Sequence, residues 1–384
     1  MKNAVLTTPS PRALYAHVPF CQTICGYCDF YSQVLDKPAV GPLVDALLAE
    51  LALHRAAGPI EVDTIFVGGG TPTTLPTAEL RRLLDALHRL AADPRTLEFT
   101  VEANPATVSD EIAAALVASG VNRVSIGAQS FDTAELRVLD RLHAPPQVGA
   151  TLDACRRAGV RQINLDLIFA IPGQSLDGWR RNLQAAIELR PEHLSCYALT
   201  YEPGTPLYER LRAGGVQRAE NELEATMYET AIADLAAAGY EQYEISNFAR
   251  PGCQCRHNLA YWHNEPHVSI GPSAAGLVNG ERYKNVPDTA AYVRAVRAGR
   301  SPRVESERLP LERQARETAM LELRLNAGIE RTRFERRYGR DPADLFAGEF
   351  APHVELNLLE VTPTHVRLTP RGRLVADAII VDLL

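Results

Sequence analysis

The chain has 384 residues, 46% of them hydrophobic, and a formal net charge of −7. This length and apolar content suffice for roughly two domains, or for one large α/β domain with an appendage. The negative charge argues against nucleic acid as the main partner, because phosphate binding needs a basic surface.

The N-terminus and the cysteine content predict a cytoplasmic protein. The first ten residues, 1–10, lack the long apolar run of a signal peptide. No uninterrupted apolar stretch reaches the length that spans a membrane. Seven cysteines in a chain of this length do not make a disulfide framework, so nothing indicates an oxidising compartment.

The first 250 residues alternate short β-branched runs with amphipathic helical stretches. This alternation predicts parallel strands joined by right-handed crossovers, in either an open barrel or a doubly wound sheet. The predicted strands are Leu14–Val18, Thr64–Val67, Glu98–Val101, Arg123–Gly127, Ile163–Phe169 and His193–Leu199. The predicted helices are Pro42–Ala57, Ala78–Ala91, Ser109–Ser119, Thr133–Leu142 and Leu176–Leu189.

After about residue 285 the pattern becomes mostly helical, which predicts a small separate domain with a boundary near Asn285–Asp288. Its predicted helices are Pro287–Arg300, Leu309–Leu325, Arg331–Tyr338, Pro342–Phe346 and Arg371–Leu384, with one strand at Val366–Thr369. We therefore expect three parts: an α/β domain over 1–250, a connecting segment over 251–285, and a mostly helical C-terminal domain over 286–384.

Three cysteines follow the first predicted strand with the spacing C-x3-C-x2-C: Cys21, Cys25 and Cys28. Three thiolates can hold three irons of a four-iron cluster and leave the fourth iron open. A zinc site with His17 as a fourth ligand and a set of inert thiols are the alternatives. A structural zinc site usually pairs two C-x2-C knuckles, and the chain has no second one. The spacing therefore favours an open iron–sulfur site.

Polar or glycine-rich residues recur where the successive predicted strands end. Gly68–Pro72 leaves main-chain groups uncovered, so a ligand can approach the backbone. Glu102 follows the third strand, and a carboxylate in this place suits ribose hydroxyls. Asn164 and Asp166 share one face of the fifth strand, where a buried polar face costs stability unless it serves a site.

These motifs together resemble the radical S-adenosylmethionine (SAM) superfamily, and within it the oxygen-independent coproporphyrinogen III oxidase-like branch. The resemblance implies a partial (β/α)6 barrel with a small C-terminal, winged-helix-like and mostly helical domain. It also implies a [4Fe–4S] cluster held by Cys21, Cys25 and Cys28. The motifs that carry it are C-x3-C-x2-C, Gly68–Pro72, Glu102–Pro105, Gly127–Ser130 and Asn164–Ile168.

The resemblance also implies which residues bind SAM. Tyr27 and Phe30 would flank the cluster. The implied SAM residues are Tyr15, Gly69, Gly70, Thr71, Glu102, Gln129, Arg141, Asp166 and Ile168.

Two features separate the members of this branch. The coproporphyrinogen dehydrogenases have a further cysteine two positions after the third, where this chain has Phe30, and they have a longer N-terminal arm. His257-Asn-Leu-Ala-Tyr-Trp262 resembles the H-N-x-x-Y-W signature of the HemW haem chaperones. The resemblance implies His257 as the haem ligand, with Cys255 as a weaker candidate. Without the resemblance, His257 and Trp262 would be interpreted as core or interface residues.

The resemblance therefore implies a haem carrier with a [4Fe–4S] cluster, SAM and haem. Its partners would be haem, a reductant for the cluster and haem-accepting proteins such as respiratory cytochromes, some of them membrane-associated. The alternatives are oxidative decarboxylation of coproporphyrinogen III and an iron–sulfur electron carrier without a substrate.

Overall fold

The computed structural model describes residues 10–383. Residues 1–9, on which the signal-peptide argument partly depends, and Leu384 lie outside the described residues. The elements of the first half are β1 (Ala13–Val18), β2 (Phe20–Cys21), β3 (Gln33–Val34), α1 (Lys37–Ala57), β4 (Thr64–Gly69), α2 (Thr77–His88), β5 (Glu98–Ala103), α3 (Asp110–Ala118), β6 (Arg123–Gln129), α4 (Thr133–Val138), α5 (Pro146–Ala158), β7 (Gln162–Phe169), α6 (Leu176–Glu188) and β8 (His193–Ala198).

Six parallel strands form the centre of the main sheet in the order β1-β4-β5-β6-β7-β8. The order follows the sequence without the reversal that defines a doubly wound sheet. Side chains from β4 to β8 line one cavity, so the sheet curves around it as a partial barrel. The predicted fold is therefore confirmed, and the open barrel is the correct choice of the two.

The helices cover the outside of these strands because each has an apolar stripe that packs on the sheet. Ser109 and Ser175 cap α3 and α6 by accepting a backbone N–H from the first turn. Helix α1 begins at Lys37, five residues before the predicted start, with a proline in its first turn that favours initiation. The sequence analysis missed α5.

The second half adds strands to both edges of the main sheet. Its elements are α7 (Pro206–Arg212), α8 (Asn221–Ala237), β9 (Glu241–Gln242), β10 (Asn247–Ala249), α9 (Arg256–Trp262), β11 (His267–Ile270), β12 (Ala275–Val278), β13 (Glu281–Asn285), α10 (Thr289–Arg297) and β14 (Arg303–Glu307). Strands β10 and β9 extend the sheet beyond β8, and β11 pairs in parallel with β1. Strands β12, β13 and β14 then continue the sheet in antiparallel order.

A second hydrophobic core begins at Ala315 and defines a C-terminal unit. Its elements are α11 (Leu311–Glu322), β15 (Ile329–Glu330), α12 (Arg331–Tyr338), α13 (Pro342–Leu345), α14 (Ala347–Glu355), β16 (Leu359–Val361), β17 (His365–Leu368), α15 (Pro370–Arg373) and α16 (Ala376–Val381). The single helix expected over 371–384 is two short helices, because Val375 between them leaves the helical conformation at φ −126°.

The boundary of this unit differs from the expected one near residue 286. Strand β14 pairs with β13, and α10 packs on α1, so residues 286–307 belong with the main sheet. This pairing was not predicted because β14 is a mostly charged edge strand, Arg303–Glu307, without an apolar alternation. Within the described residues, no helix has the length and apolar character needed to cross a membrane.

Candidate functional site

A cavity of about 390 Å³ opens at the carboxyl ends of the parallel strands. Its size suits a small organic cofactor. It brings together the expected cluster residues and all but one of the expected SAM residues. Those that line it are Cys21, Cys25, Tyr27, Cys28, Phe30, Gly69, Gly70, Thr71, Glu102, Gln129, Arg141, Asp166 and Ile168.

The cysteine loop is fixed by backbone contacts with neighbouring elements. Gly26 donates its N–H to the carbonyl of Leu139 at 3.3 Å and accepts from the N–H of Leu207 at 2.7 Å. A Cβ at Gly26 would lie 2.2 Å from the carboxylate of Asp140 and 2.6 Å from the guanidinium of Arg210, so both side chains pack closely on this glycine. The loop is thus held rigidly over the cavity, with Cys25 directly before this glycine.

The three thiols face the cavity in a setting that suits a metal cluster. Arg141 Nη1 lies 3.5 Å from the Sγ of Cys25, and Thr71 Oγ1 lies 3.7 Å from the Sγ of Cys21. Burial raises the pKa of the Cys28 thiol to about 11 and also raises that of Cys21. Both are therefore protonated at neutral pH, and iron binding must supply the driving force for their ionisation.

The donor set fits a four-iron cluster. Within residues 10–383, no three His, Cys, Asp or Glu side chains are arranged to hold a single metal ion. A cluster needs no such convergence, because each thiolate binds a different iron. Three soft sulfur donors on one rigid loop, half-buried at the wall of a cavity, satisfy its requirements.

The floor of the cavity is bare main chain at the end of β4. Gly69 has φ +108°, which glycine adopts without strain. A Cβ at Gly70 would lie 2.7 Å from the main chain of Pro19 and Phe20. The two glycines therefore keep the cysteine loop close to β4 and leave room for a ligand above them.

Two carboxylates, those of Glu102 and Asp166, line the cavity. Glu102 Oε2 accepts the N–H of Gly69 at 3.0 Å, and Asp166 accepts from Ser125 at 3.1 Å and from Asn164 at 2.8 Å. Burial, and then the charge of Asp166, raise the pKa of Glu102 to about 7. Burial also raises the pKa of Asp166. Acceptors of this kind suit hydroxyl and amino groups of a bound cofactor.

The raised pKa of Glu102 predicts a pH-dependent stability for the cluster-free protein. Between about pH 4.5 and 7, Glu102 is protonated in the folded protein but ionised in the unfolded chain, so folding takes up a proton. The contribution of this proton to the free energy of unfolding is therefore fully present below about pH 4.5 and is lost as the pH rises through about 7. The free energy of unfolding of the wild-type protein should decrease from pH 5 to pH 8. We expect this decrease to be smaller in Glu102→Gln, by at most about 3 kcal/mol. Denaturant unfolding at both pH values measures this, and identical losses in the two proteins would contradict it.

Arg141 and Gln129 enter the cavity because of a local irregularity in β6. The pairing of β6 with β7 shifts between Gly127 and Gln129, and Gln129 has φ +63°. Such a bulge redirects a side chain. Arg141 donates to the carbonyl of Gly127 and so holds its guanidinium beside Cys25. A fixed cation here suits the carboxylate of an amino acid.

Aromatic side chains line part of the cavity. Phe30, the residue in place of a fourth cysteine, is 68% exposed. Tyr27 packs against the small core around Ile168. Tyr197, at 40% exposure, also lines the cavity. The exposed rings can contact a flat apolar molecule by stacking.

Tyr15 does not line the cavity, contrary to expectation. Its hydroxyl lies 2.9 Å from Nδ1 of His17, and Nε2 of His17 lies 2.8 Å from the carbonyl oxygen of Tyr31. The ring of His17 packs against Gly69, where a Cβ would lie 2.5 Å away. Tyr15 therefore supports the floor through His17, because its position on β1 is too far from the strand end.

His257 is not part of the cavity either. It is fully buried, and its Nδ1 lies 2.9 Å from Oγ1 of Thr64, the first residue of β4. The cavity begins at the other end of this strand, about 17 Å away at 3.3 Å per residue. The His257 ring packs on Phe66 and Tyr261, with centroids 5.3 and 4.8 Å apart. The expected haem ligand is thus enclosed in this structure.

The helix that carries His257 closes the amino-terminal end of the barrel. Glu98, the first residue of β5, accepts the N–H groups of Arg256 at 2.8 Å and His257 at 2.9 Å. The weaker candidate, Cys255, is also fully buried, and its Sγ lies 3.5 Å from Glu98. A carboxylate at the start of a helix satisfies its free N–H groups. Glu98 therefore anchors α9 to the barrel.

The residues that line the cavity but were not predicted from the sequence include Ser125 and Tyr197. Ser125 lies two positions before Gly127 on the same face of β6, so the two-residue period could have indicated it. Tyr197 lies near the end of β8, where no motif marks it.

Comparisons with known proteins agree with this architecture. Residues 15–186 match the family model of the radical SAM superfamily, and residues 309–375 match that of the HemN C-terminal domain. The solved structure of coproporphyrinogen III oxidase (HemN) from Escherichia coli superposes with a TM-score of 0.84 at 24% identity, over 97% of this chain and 90% of that one. This likeness concerns the fold alone.

Curated relatives cover almost the whole chain. Heme chaperone HemW of Bacillus subtilis is 36% identical over 96% of this chain and 98% of its own length. Heme chaperone HemW of Mycobacterium tuberculosis H37Rv is 36% identical over 97% of this chain and 95% of its own. That of Escherichia coli K12 is 41% identical over 70% of each chain. The chain therefore belongs to the HemW family of the radical SAM superfamily.

Proposed function

We propose that this protein is a haem carrier that binds haem and passes it to acceptor proteins. The observation that carries the proposal is the likeness, over nearly the full length, to proteins named haem chaperones. The place of Phe30, where the decarboxylating enzymes of the branch would have a cysteine, supports it from the sequence.

His257 is the proposed axial ligand. Burial, and then the nearby His267 and Arg123, lower the pKa of His257 to about 3, so the imidazole is neutral. The neutral form is the one that binds iron. Its Nε2 has no hydrogen-bond partner among residues 10–383, and Nδ1 is held by Thr64. This nitrogen is therefore available once the site is open.

Haem can reach His257 only if α9 leaves the barrel. The ring is enclosed by Phe66 and Tyr261, and Glu98 holds the start of the helix. The haem-loaded protein would then differ from this structure around residues 255–264, with the barrel itself intact. The segment over 251–285 would thus serve haem, and the barrel over 1–250 would serve the cluster and SAM, as expected from the sequence.

The cavity is the proposed site of the cluster and SAM. The cluster and SAM together supply one-electron chemistry at an open iron. Cys21, Cys25 and Cys28 hold the cluster, and Arg141 offers a cation to the carboxylate end of SAM. Glu102 and Asp166 accept hydrogen bonds from its polar groups. A separate reductant would dock near the cysteine loop, and haem acceptors would meet the opened haem site.

A haem titration tests the carrier proposal. We expect wild-type protein, reconstituted without oxygen, to bind haem with a Soret band, and His257→Asn to lose affinity by about ten-fold or more, since a ligand bond is removed. Asparagine preserves a partner for Thr64, which protects the fold. His365→Asn, on the C-terminal sheet, is the control and keeps wild-type affinity.

Two results would contradict the proposal. An unchanged Soret band and affinity in His257→Asn would remove His257 as the ligand. Sustained formation of protoporphyrinogen IX from coproporphyrinogen III, by reduced protein with SAM, would replace the carrier by the decarboxylase.

A further inference from the structure

A chain of hydrogen bonds leads from the cavity into the barrel. Asp166, at the cavity wall, accepts from Nδ2 of Asn164 at 2.8 Å. Oδ1 of Asn164 lies 2.6 Å from Nδ1 of His193. Asn164 and His193 are both buried, so these groups have no access to bulk water. Such buried bonds are strong and geometrically restrictive.

The chain continues to the opposite end of the barrel. Nε2 of His193 lies 2.8 Å from the hydroxyl of Tyr243, and the N–H of Cys255 donates to the same hydroxyl at 3.4 Å. Cys255 is the residue that directly precedes α9. The cavity carboxylate Asp166 is thus connected to the start of the helix that encloses His257.

All the hydrogen bonds between Cys255 and Asp166 can be oriented in the same direction. Burial lowers the pKa of His193 well below its usual range, so the ring carries a single N–H. If Nδ1 donates to Asn164, Nε2 accepts from Tyr243, whose oxygen accepts from Cys255. With this assignment, every donor and acceptor in the series has a partner. The position of the proton on the His193 ring is inferred from these hydrogen bonds. Each donor then points towards Asp166.

The segment around Tyr243 also contacts the C-terminal unit through main-chain hydrogen bonds. Its carbonyl accepts the N–H of Asn326 at 3.0 Å, and Ile245 donates to the carbonyl of Arg324 at 3.2 Å. Both partners belong to the loop after α11. A single short segment therefore contacts the barrel interior, the start of α9 and the C-terminal unit.

The C-terminal unit holds the other end of α9. Arg337 donates to the carbonyls of His263 at 2.9 Å and Asn264 at 2.7 Å, and Asn264 donates to Thr318 at 3.0 Å. Helix α9 is therefore fixed at both ends. The hydroxyl of Tyr243 contacts the residue before its start, and the carbonyl of Tyr243 contacts the C-terminal unit that holds its other end.

We propose that ligand binding at Asp166 controls the opening of α9, and that Tyr243 is the positioning residue that links the two ends of the barrel. A ligand that fixes Asp166 orders the chain of donors behind it and stabilises the closed helix. SAM therefore opposes access to His257, and by linkage an open helix weakens SAM binding by the same factor. This inference rests on the proposed SAM site, not on the haem ligand.

Hydrogen exchange of the reconstituted, oxygen-free protein tests the coupling without haem. We expect saturating SAM to slow amide exchange across residues 256–262 by about five-fold or more, the lower end of usual coupling between sites. Tyr243→Phe removes the hydroxyl and abolishes this slowing. The affinity of Tyr243→Phe for SAM, measured by equilibrium dialysis, should decrease by no more than the factor by which SAM slows exchange in the wild-type protein. His193→Leu interrupts the chain at its middle and gives the same loss by an independent substitution.

Tyr240→Phe is the matched control. Tyr240 lies three residues before Tyr243 and is more deeply buried, and its hydroxyl donates to the carbonyl of Pro191 at 2.7 Å, outside the hydrogen-bond chain. It should keep the wild-type response to SAM. SAM binding without slower exchange in α9, or an undiminished response in Tyr243→Phe, would overturn the coupling alone. Absence of SAM binding to wild type would overturn the SAM site and the coupling together.

Discussion

Replacement of Cys25 by serine is expected to prevent assembly of the cluster. The wild-type protein, reconstituted anaerobically with iron and sulfide, should hold about four irons per chain, and the variant less than about one. Serine offers a hard oxygen whose proton is far more difficult to remove than that of a thiol, so it is a poor ligand for iron–sulfur clusters. Iron and sulfide analysis, with the visible absorption spectrum, measures the effect.

The structure explains why no other residue can replace Cys25. Its loop is fixed at Gly26 by the bonds to Leu139 and Leu207, so a neighbouring donor cannot move into its place. Cys253→Ser is the control, because Cys253 is half-buried and does not line the cavity. Full iron content in Cys25→Ser would show that the cluster has another ligand.

Replacement of Gly70 by alanine is expected to weaken SAM binding by about 10- to 100-fold. The new methyl group would lie 2.7 Å from the main chain of Pro19 and Phe20. Backbone atoms cannot rotate away as a side chain can, so the floor or the cysteine loop must shift. Overpacking of this kind costs about 1–3 kcal/mol, and each 1.4 kcal/mol corresponds to ten-fold in affinity.

Gly41→Ala provides the matched control for Gly70→Ala. Gly41 lies in α1, and a Cβ there would have no atom within 4 Å. Alanine should leave SAM affinity within about two-fold and stabilise the helix slightly. Equilibrium dialysis with labelled SAM compares the three proteins. Equal affinity in Gly70→Ala would mean that SAM does not lie over this floor.

The central strands were predictable because their pattern is local. The predicted strand Thr64–Val67 lies within β4, and Glu98–Val101 lies within β5. Buried parallel strands read as continuous apolar runs between amphipathic helices. Errors occur where the pattern is weak, as in β14, in which Arg303, Glu305 and Glu307 are charged and which pairs with β13 at the edge of the sheet.

The cavity was predictable for a geometric reason. The carboxyl ends of parallel strands meet at the same edge of the sheet, so residues that follow different strands converge. Gly69, Glu102 and Asp166 come from three strands and line one cavity. Tyr15 lies outside this lining, because a motif gives the strand but not the depth of a residue along it.

The amino-acid sequence by itself therefore determined the alternation of strands and helices, the cysteine loop and the strand-end residues near it, because these patterns depend on the local chain. Only the tertiary structure decided where His257 lies. A short helix can pack on either end of a barrel, and Glu98 and Thr64, far away in sequence, hold it at the amino-terminal end. Other long-range contacts, which no motif indicates, connect α9 to Tyr243 and to the C-terminal unit.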